Sequence, residues 1–513
     1  MLVESNLSSS PTSTGERPWG RKRVVLLAGL ILLTALVLHA PRVAFPMLGW
    51  DDFWFLRDSW TWSAAWNNLW QPINDHAMPL SRVTTRLLVG LSGCAAALPY
   101  VLGLQGPLVV LACMGLLYLF LRRELGHPVY GLVGMAAFGV TSRYEQAVSW
   151  YCATFMLVSL AFILLALLAA QRWHQRRRLH SLLACMFWTA AAATCFSGGV
   201  LGGPLVALYL LLPPSGAPAP QARTGWRWRS LLPPLAPLLG TALFLAVSLP
   251  RTAKAILHAE HYEGKTALEA FHPGKALVYS CRSLVDNLFL GSFGISGVTC
   301  YPFLVALLLM GLLWAAVWWW RGAPHRRLLL LGLAFIFSSY FLIYGARSEW
   351  PYEQMIFWSR YQVFSHLGLV LFLAGGLPRW EGWLVAGTGR WAPAQNRIWL
   401  TALLAFWVIQ MPRTLPFRFE PQQHVQLRRL DEIPLAIGRA LHLSAQQHAQ
   451  LRLLDEMDAR CRRYHIDAAS ARAVLPPLEL VDCDEPKNGW DFLRGSDDPH
   501  PIDPAEVRRL LQP

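Results

Sequence analysis

The chain has 513 residues, 54% of them hydrophobic and 15% charged, with a formal net charge of +14. Apolar runs of bilayer-crossing length recur along most of it, which excludes an ordinary soluble domain. The basic residues sit in short loops between those runs, not in one compact Lys/Arg module, so the positive balance excludes a nucleic-acid binder and fits the positive-inside pattern.

The N-terminus is polar to Gly15, basic at Arg17, Arg21, Lys22 and Arg23, then apolar, as in a signal-anchor whose start is cytoplasmic. A first span, Val24 to about Ala40, delivers Trp50-Asp51-Asp52 to the outer face. The stretch Gly49 to Arg82 is dense in tryptophans, which favour the membrane–water boundary, and also holds Asn74, Asp75, His76 and Arg82. Val83 to Pro99 reads as an interfacial or partly inserted helix. Leu104 to Leu121 is a span ending in Arg122-Arg123, and the shorter run Val129 to Val140 crosses back.

Thr141 to Gln146 forms a small outer loop, and Val148 to Ala170 returns to a basic cluster at Arg172, Arg176, Arg177 and Arg178. Leu182 to Phe196 and Val200 to Leu212 make a pair joined at Ser197-Gly198-Gly199. The Pro-rich, basic loop Pro213 to Arg229 is expected in the cytoplasm. Leu231 to Leu249 goes out, Pro250 to Tyr301 is a second long outer loop, and Pro302 to Trp320 comes in. Leu328 to Tyr344, Val363 to Leu377 and Ile398 to Met411 complete about eleven crossings. The reading is therefore an all-α polytopic membrane protein. Residues 1–411 form its transmembrane domain, with outer loops near 41–82, 142–147, 250–301 and 345–361; residues 412–513 are a polar tail or small outer domain. In an oxidising compartment Cys281 could pair with Cys300, and Cys461 with Cys483.

This arrangement gathers polar groups on one side: Asp51 and Asp52 first, then Glu145, then Arg347, Glu349, Glu353, Arg360 and Tyr361. Mixed charges beside aromatics at one membrane face suggest a cleft for an amphipathic substrate. A carboxylate there could take a proton from a hydroxyl, and an arginine could hold a phosphate through paired hydrogen bonds. His76, Arg82 and Glu145 would position substrate, and Asp51, Glu145 and His76 are candidate ligands for an optional Mg or Mn ion. Each has a bland reading too: the acidic pair as the end of a span, Glu145 as a cap on one, and Arg360 as a side chain that snorkels to head groups.

Four features together resemble the GT-C type of polytopic glycosyltransferase, in its bacterial mannosyltransferase and aminoarabinose-transferase-like branch. They are the short anchor followed by Trp50-Asp51-Asp52, the run His76-x-x-Pro79-x-x-Arg82, the loop Arg143-Tyr144-Glu145, and Ser359-Arg360-Tyr361. The resemblance implies a sugar donor on polyprenyl phosphate, a lipid, glycan or protein acceptor, and inverting transfer on the non-cytoplasmic face of a bacterial plasma membrane. It implies that Asp51 is the base or orients the acceptor, with Asp52 sharing the role. The acidic pair is Asp-Asp where several branches carry Asp-Glu, and Glu145 lacks an Asp-x-Asp pattern. A lipid or small-molecule transporter or flippase is the alternative, but it would favour ionisable residues in mid-span, which these spans nearly lack. A non-catalytic scaffold is a further alternative.

Overall fold

A computed structural model describes residues 21–44, 50–59, 61–73, 76–92, 98–141, 143–213, 232–258, 271–290, 325–348, 350–355 and 358–388. The expected spans Pro302–Trp320 and Ile398–Met411, the tail from 412, Asn74, Asp75, Cys300, Cys461 and Cys483 lie outside these residues. Among the described residues the fold is all-helical, without a strand.

Among the described residues, five helices are long and apolar enough to cross a membrane, in their segments Lys22–Ala40, Tyr100–Leu125, Thr154–Arg176, Leu232–Ala253 and Arg326–Ala346. They belong to α1 (Arg21–Ala44), α5 (Leu98–Leu125), α8 (Thr154–Arg176), α11 (Leu232–His258) and α13 (Arg326–Ala346). The shorter helices α6 (Pro128–Gly139), α9 (Leu179–Cys195) and α10 (Gly202–Leu211) pack among them, and α15 (Val363–Thr388) packs along α13. Small helices lie between these: α2 (Trp50–Ser59), α3 (Trp62–Asn67), α4 (Pro79–Ser92), α7 (Glu145–Ser149), α12 (Pro273–Ser283) and α14 (Tyr352–Met355). The main core joins α1, α5, α6, α8, α9, α10, α13 and α15. The outward faces are apolar: Leu26 and Leu33 on α1, Leu183 and Phe187 on α9, Leu239 and Leu243 on α11, and Phe337 and Phe341 on α13 are exposed. Such a surface suits hydrocarbon, which makes no demand for polar outer faces.

Two glycines bring α13 and α15 into direct backbone contact. A Cβ on Gly332 of α13 would lie 2.5 Å from the Gly368 carbonyl oxygen, and one on Gly368 of α15 would lie 2.7 Å from the Gly332 carbonyl oxygen. Small residues let the two backbones meet directly.

Buried polar contacts identify the two ends of the bundle. At one end Gln171 donates to the Phe120 carbonyl and to Glu124, each at 3.0 Å, and Tyr209 donates to Glu124 at 2.5 Å. Arg327 approaches Glu124 at 3.7 Å, and its guanidinium lies 3.3 Å from the Tyr209 ring centre. The final turns of α5, α8 and α10 thus meet the first turn of α13, beside Arg122, Arg123, Arg172 and Arg176. The opposite end carries α2, α4, α7 and the turn before α15.

Helix α6 spans 12 residues, roughly 18 Å at 1.5 Å per residue, which is short of a bilayer core. Its last carbonyls therefore need donors from elsewhere. Three consecutive ones receive them: His366 Nε2 binds the Ala137 carbonyl at 2.9 Å, the Tyr144 hydroxyl donates to that of Phe138, and His39 Nε2 lies 3.3 Å from that of Gly139. Donors from α15, the loop and α1 finish what the helix leaves open.

The expected span Val148–Ala170 is divided. Helix α7 ends at Ser149, Trp150 is extended, and α8 begins at Thr154. The break leaves the Cys152 N–H for a partner outside the helix.

Candidate functional site

That partner is Asp52. Its carboxylate, fully buried on α2, accepts from the Cys152 N–H at 2.6 Å. A buried carboxylate needs such donors to hold its place. Asp51 precedes it on the same helix; its side chain lies outside the described residues. Next to Cys152, the Tyr151 hydroxyl shares a 2.7 Å hydrogen bond with Thr85 of α4, and burial raises its pKa well above the usual phenol value.

Arg82 of α4 is also buried. Its guanidinium pairs with Asp58 at 2.8 Å and donates to the Gln71 carbonyl at 2.9 Å, so it ties α4 to α2 and to the segment before it. Those contacts explain Arg82 structurally. The helix places polar Ser81, Arg82 and Thr85 inward and leaves Leu87 and Leu91 exposed, the pattern of a helix lying against lipid.

Four of the residues singled out from the sequence line one cavity. His76, Arg347, Arg360 and Tyr361 meet around a space of about 330 Å³ walled largely by Phe196, Phe244, Leu249, Leu342, Ile343 and Phe364. His76 is fixed through its backbone, which exchanges two 2.9 Å hydrogen bonds with Ile73, and its ring centre lies 5.1 Å from that of Phe196. Arg347 caps α13 at its C-terminus, where the helix dipole favours a cation.

Arg360 stands among three rings. Its guanidinium is 4.5 Å from the Trp150 ring centre, 4.7 Å from Trp358 and 4.9 Å from Tyr361. Stacked aromatics hold a planar cation without neutralising it, so its hydrogen-bonding edge keeps its value toward an anion. Glu145 opens α7, and the Gln146 N–H donates to Ser359 Oγ at 3.0 Å. Glu145 therefore lies beside the Ser359–Tyr361 turn, although it does not line the cavity.

Asp286 belongs to no motif in the sequence. It is buried on a π-turn, Leu284–Leu290, and accepts from the Tyr352 hydroxyl at 3.0 Å. The Arg282 guanidinium stacks on the Tyr352 ring at 4.0 Å, and Asn287 donates to Ser283 at 3.2 Å. This cluster braces α12 against α13 and α14 and so supports the segment between Arg347 and Arg360. Arg143 clasps the same turn, donating to the Leu288 carbonyl at 2.7 Å; burial lowers its pKa to about 10. A lone Asp within Ser283-Leu284-Val285-Asp286-Asn287-Leu288 was the available signal. Cys281, on α12, carries a free thiol.

No group of three or more His, Cys, Asp or Glu side chains comes together among the described residues. Of the three candidate ligands, Glu145 and His76 lie within the described residues, and the Asp51 side chain lies outside them.

Compared with known proteins, the chain matches no family model, no curated protein and no solved structure.

Proposed function

We propose that this chain is an integral-membrane glycosyltransferase that moves a sugar from a polyprenyl-phosphate donor to an acceptor hydroxyl, at the membrane face opposite its basic loops. The observation that carries the reading is the cavity in which two arginines and a histidine meet a wall of apolar and aromatic side chains. Its chemistry suits an amphipathic molecule with one anionic group. Exposed Leu245 and Leu249 of α11 and Leu342 of α13 belong to the same cavity, so a lipid tail can leave it toward the bilayer without crossing a polar rim.

In this mechanism Asp51 takes the proton of the acceptor hydroxyl while its oxygen attacks the anomeric carbon. The bond from that carbon to the donor phosphate breaks, with inversion. The electron pair stays on the phosphate oxygen, where the guanidinium of Arg360 stabilises the developing charge. Asp52 positions the segment through Cys152, and His76 and Arg347 orient the bound molecule. On this reading the basic end is cytoplasmic, as the positive-inside rule favours, and the site faces the non-cytoplasmic side of a bacterial plasma membrane.

Chromatography of cell lipids with and without the protein tests this. A polyprenyl-phosphate sugar that accumulates in its absence, and is consumed when it is restored, is the expected result. Unchanged lipids with altered distribution of a labelled lipid between leaflets would favour the flippase reading in its place.

A further inference from the structure

The end of the bundle away from the cavity carries a second organised feature. Gln171 binds both the Phe120 carbonyl and Glu124, which sets the last turn of α8 against the last turn of α5. Arginines from two helix ends about fifty residues apart are thereby brought together, and Arg122, Arg172 and Arg176 all lie within electrostatic reach of Arg123. All four are exposed. The acid described at this end is Glu124, and it is already engaged by Arg327, Tyr209 and Gln171. The guanidinium cluster therefore has no carboxylate of its own among the described residues. Like charges held this close repel unless an anion joins them.

The level of the cluster indicates which anion. Leu119 lies one turn before it on α5, and Leu179 and Leu183 follow it directly on α9; all three are exposed and apolar. Arginines above such a belt stand at head-group depth. We propose that the last turns of α5 and α8 form a binding site for the head group of an anionic phospholipid, held by Arg123, Arg172 and Arg176 and distinct from the cavity at the other end. A topogenic role needs only the number of positive charges near a span, whereas this site needs their convergence in space.

The test uses the full chain in nanodiscs of phosphatidylglycerol or of phosphatidylcholine, read by thermal unfolding. Phosphatidylglycerol is expected to raise Tm by several degrees over phosphatidylcholine, and the rise to shrink at high salt. Arg123→Gln/Arg172→Gln/Arg176→Gln should lose the rise, while Lys275→Gln, on exposed α12, should keep it. Arg172→Gln combined with Gln175→Arg preserves net charge and topogenic content but moves one guanidinium; it should lose at least half of the rise. A triple variant that responds to phosphatidylglycerol like the parent, or a parent that does not distinguish the two lipids, overturns the site. So does equal stabilisation by inorganic phosphate in phosphatidylcholine discs, because a head group would then be unnecessary.

Discussion

The Asp52 carboxylate accepts the Cys152 N–H at 2.6 Å, across 100 residues of sequence. This one bond joins the first polar helix after α1 to the break between α7 and α8. Trp150, two residues before Cys152, carries the Arg360 guanidinium on its ring. The acidic pair and the late arginine therefore belong to one end of the bundle. Replacing Asp52 by Ala leaves a buried N–H without its acceptor. The variant should lose about 1–3 kcal/mol of stability, visible as a lower Tm in detergent. An unchanged Tm would show that the bond contributes nothing to the fold.

In membranes supplied with a polyprenyl-phosphate sugar, Asp51→Asn should lower transfer by roughly a hundredfold or more, the scale of a lost general base, with protein level unchanged. Parental activity in that variant would remove Asp51 from the reaction.

Arg360 distinguishes charge from shape. Arg360→Lys keeps the positive charge but loses the planar group that lies among Trp150, Trp358 and Tyr361. If a planar, forked donor is needed, lysine should restore only a small part of the transfer lost in Arg360→Ala. Full activity with lysine would mean that a point charge is enough.

The glycine contact between α13 and α15 leaves no room for a side chain. Gly332→Leu should destabilise by about 3 kcal/mol, since the neighbours at 2.5–2.9 Å are all backbone atoms. Gly115→Leu on α5, where a Cβ would meet nothing within 4 Å, is the matched control and should be mild. Equal Tm losses in the two would refute close packing as the cause.

The end of α6 tests the rule that backbone groups inside a membrane must be paired. His366→Ala removes the donor to Ala137 and should destabilise by about 1–3 kcal/mol. His366→Gln, which can still donate, should recover part of that loss. If alanine and glutamine unfold alike, ring packing against Phe138 and Tyr144 matters more than the hydrogen bond.

Local composition is enough to locate α1, α5, α11 and α13, because their apolar length and the arginines at their ends are visible residue by residue. It also puts Asp52, His76, Arg347 and Arg360 on one side, since sidedness follows from the order of runs and basic loops. The break before α8, the pairing of Arg82 with Asp58, the three donors on the end of α6 and the role of Asp286 are not legible there. Each depends on which helices become neighbours, and hydropathy carries no information about that. A buried polar group takes its partner from across the bundle, so the packing of the helices, and not the local sequence, decides whether Arg82 meets a carboxylate and Arg360 meets a cavity.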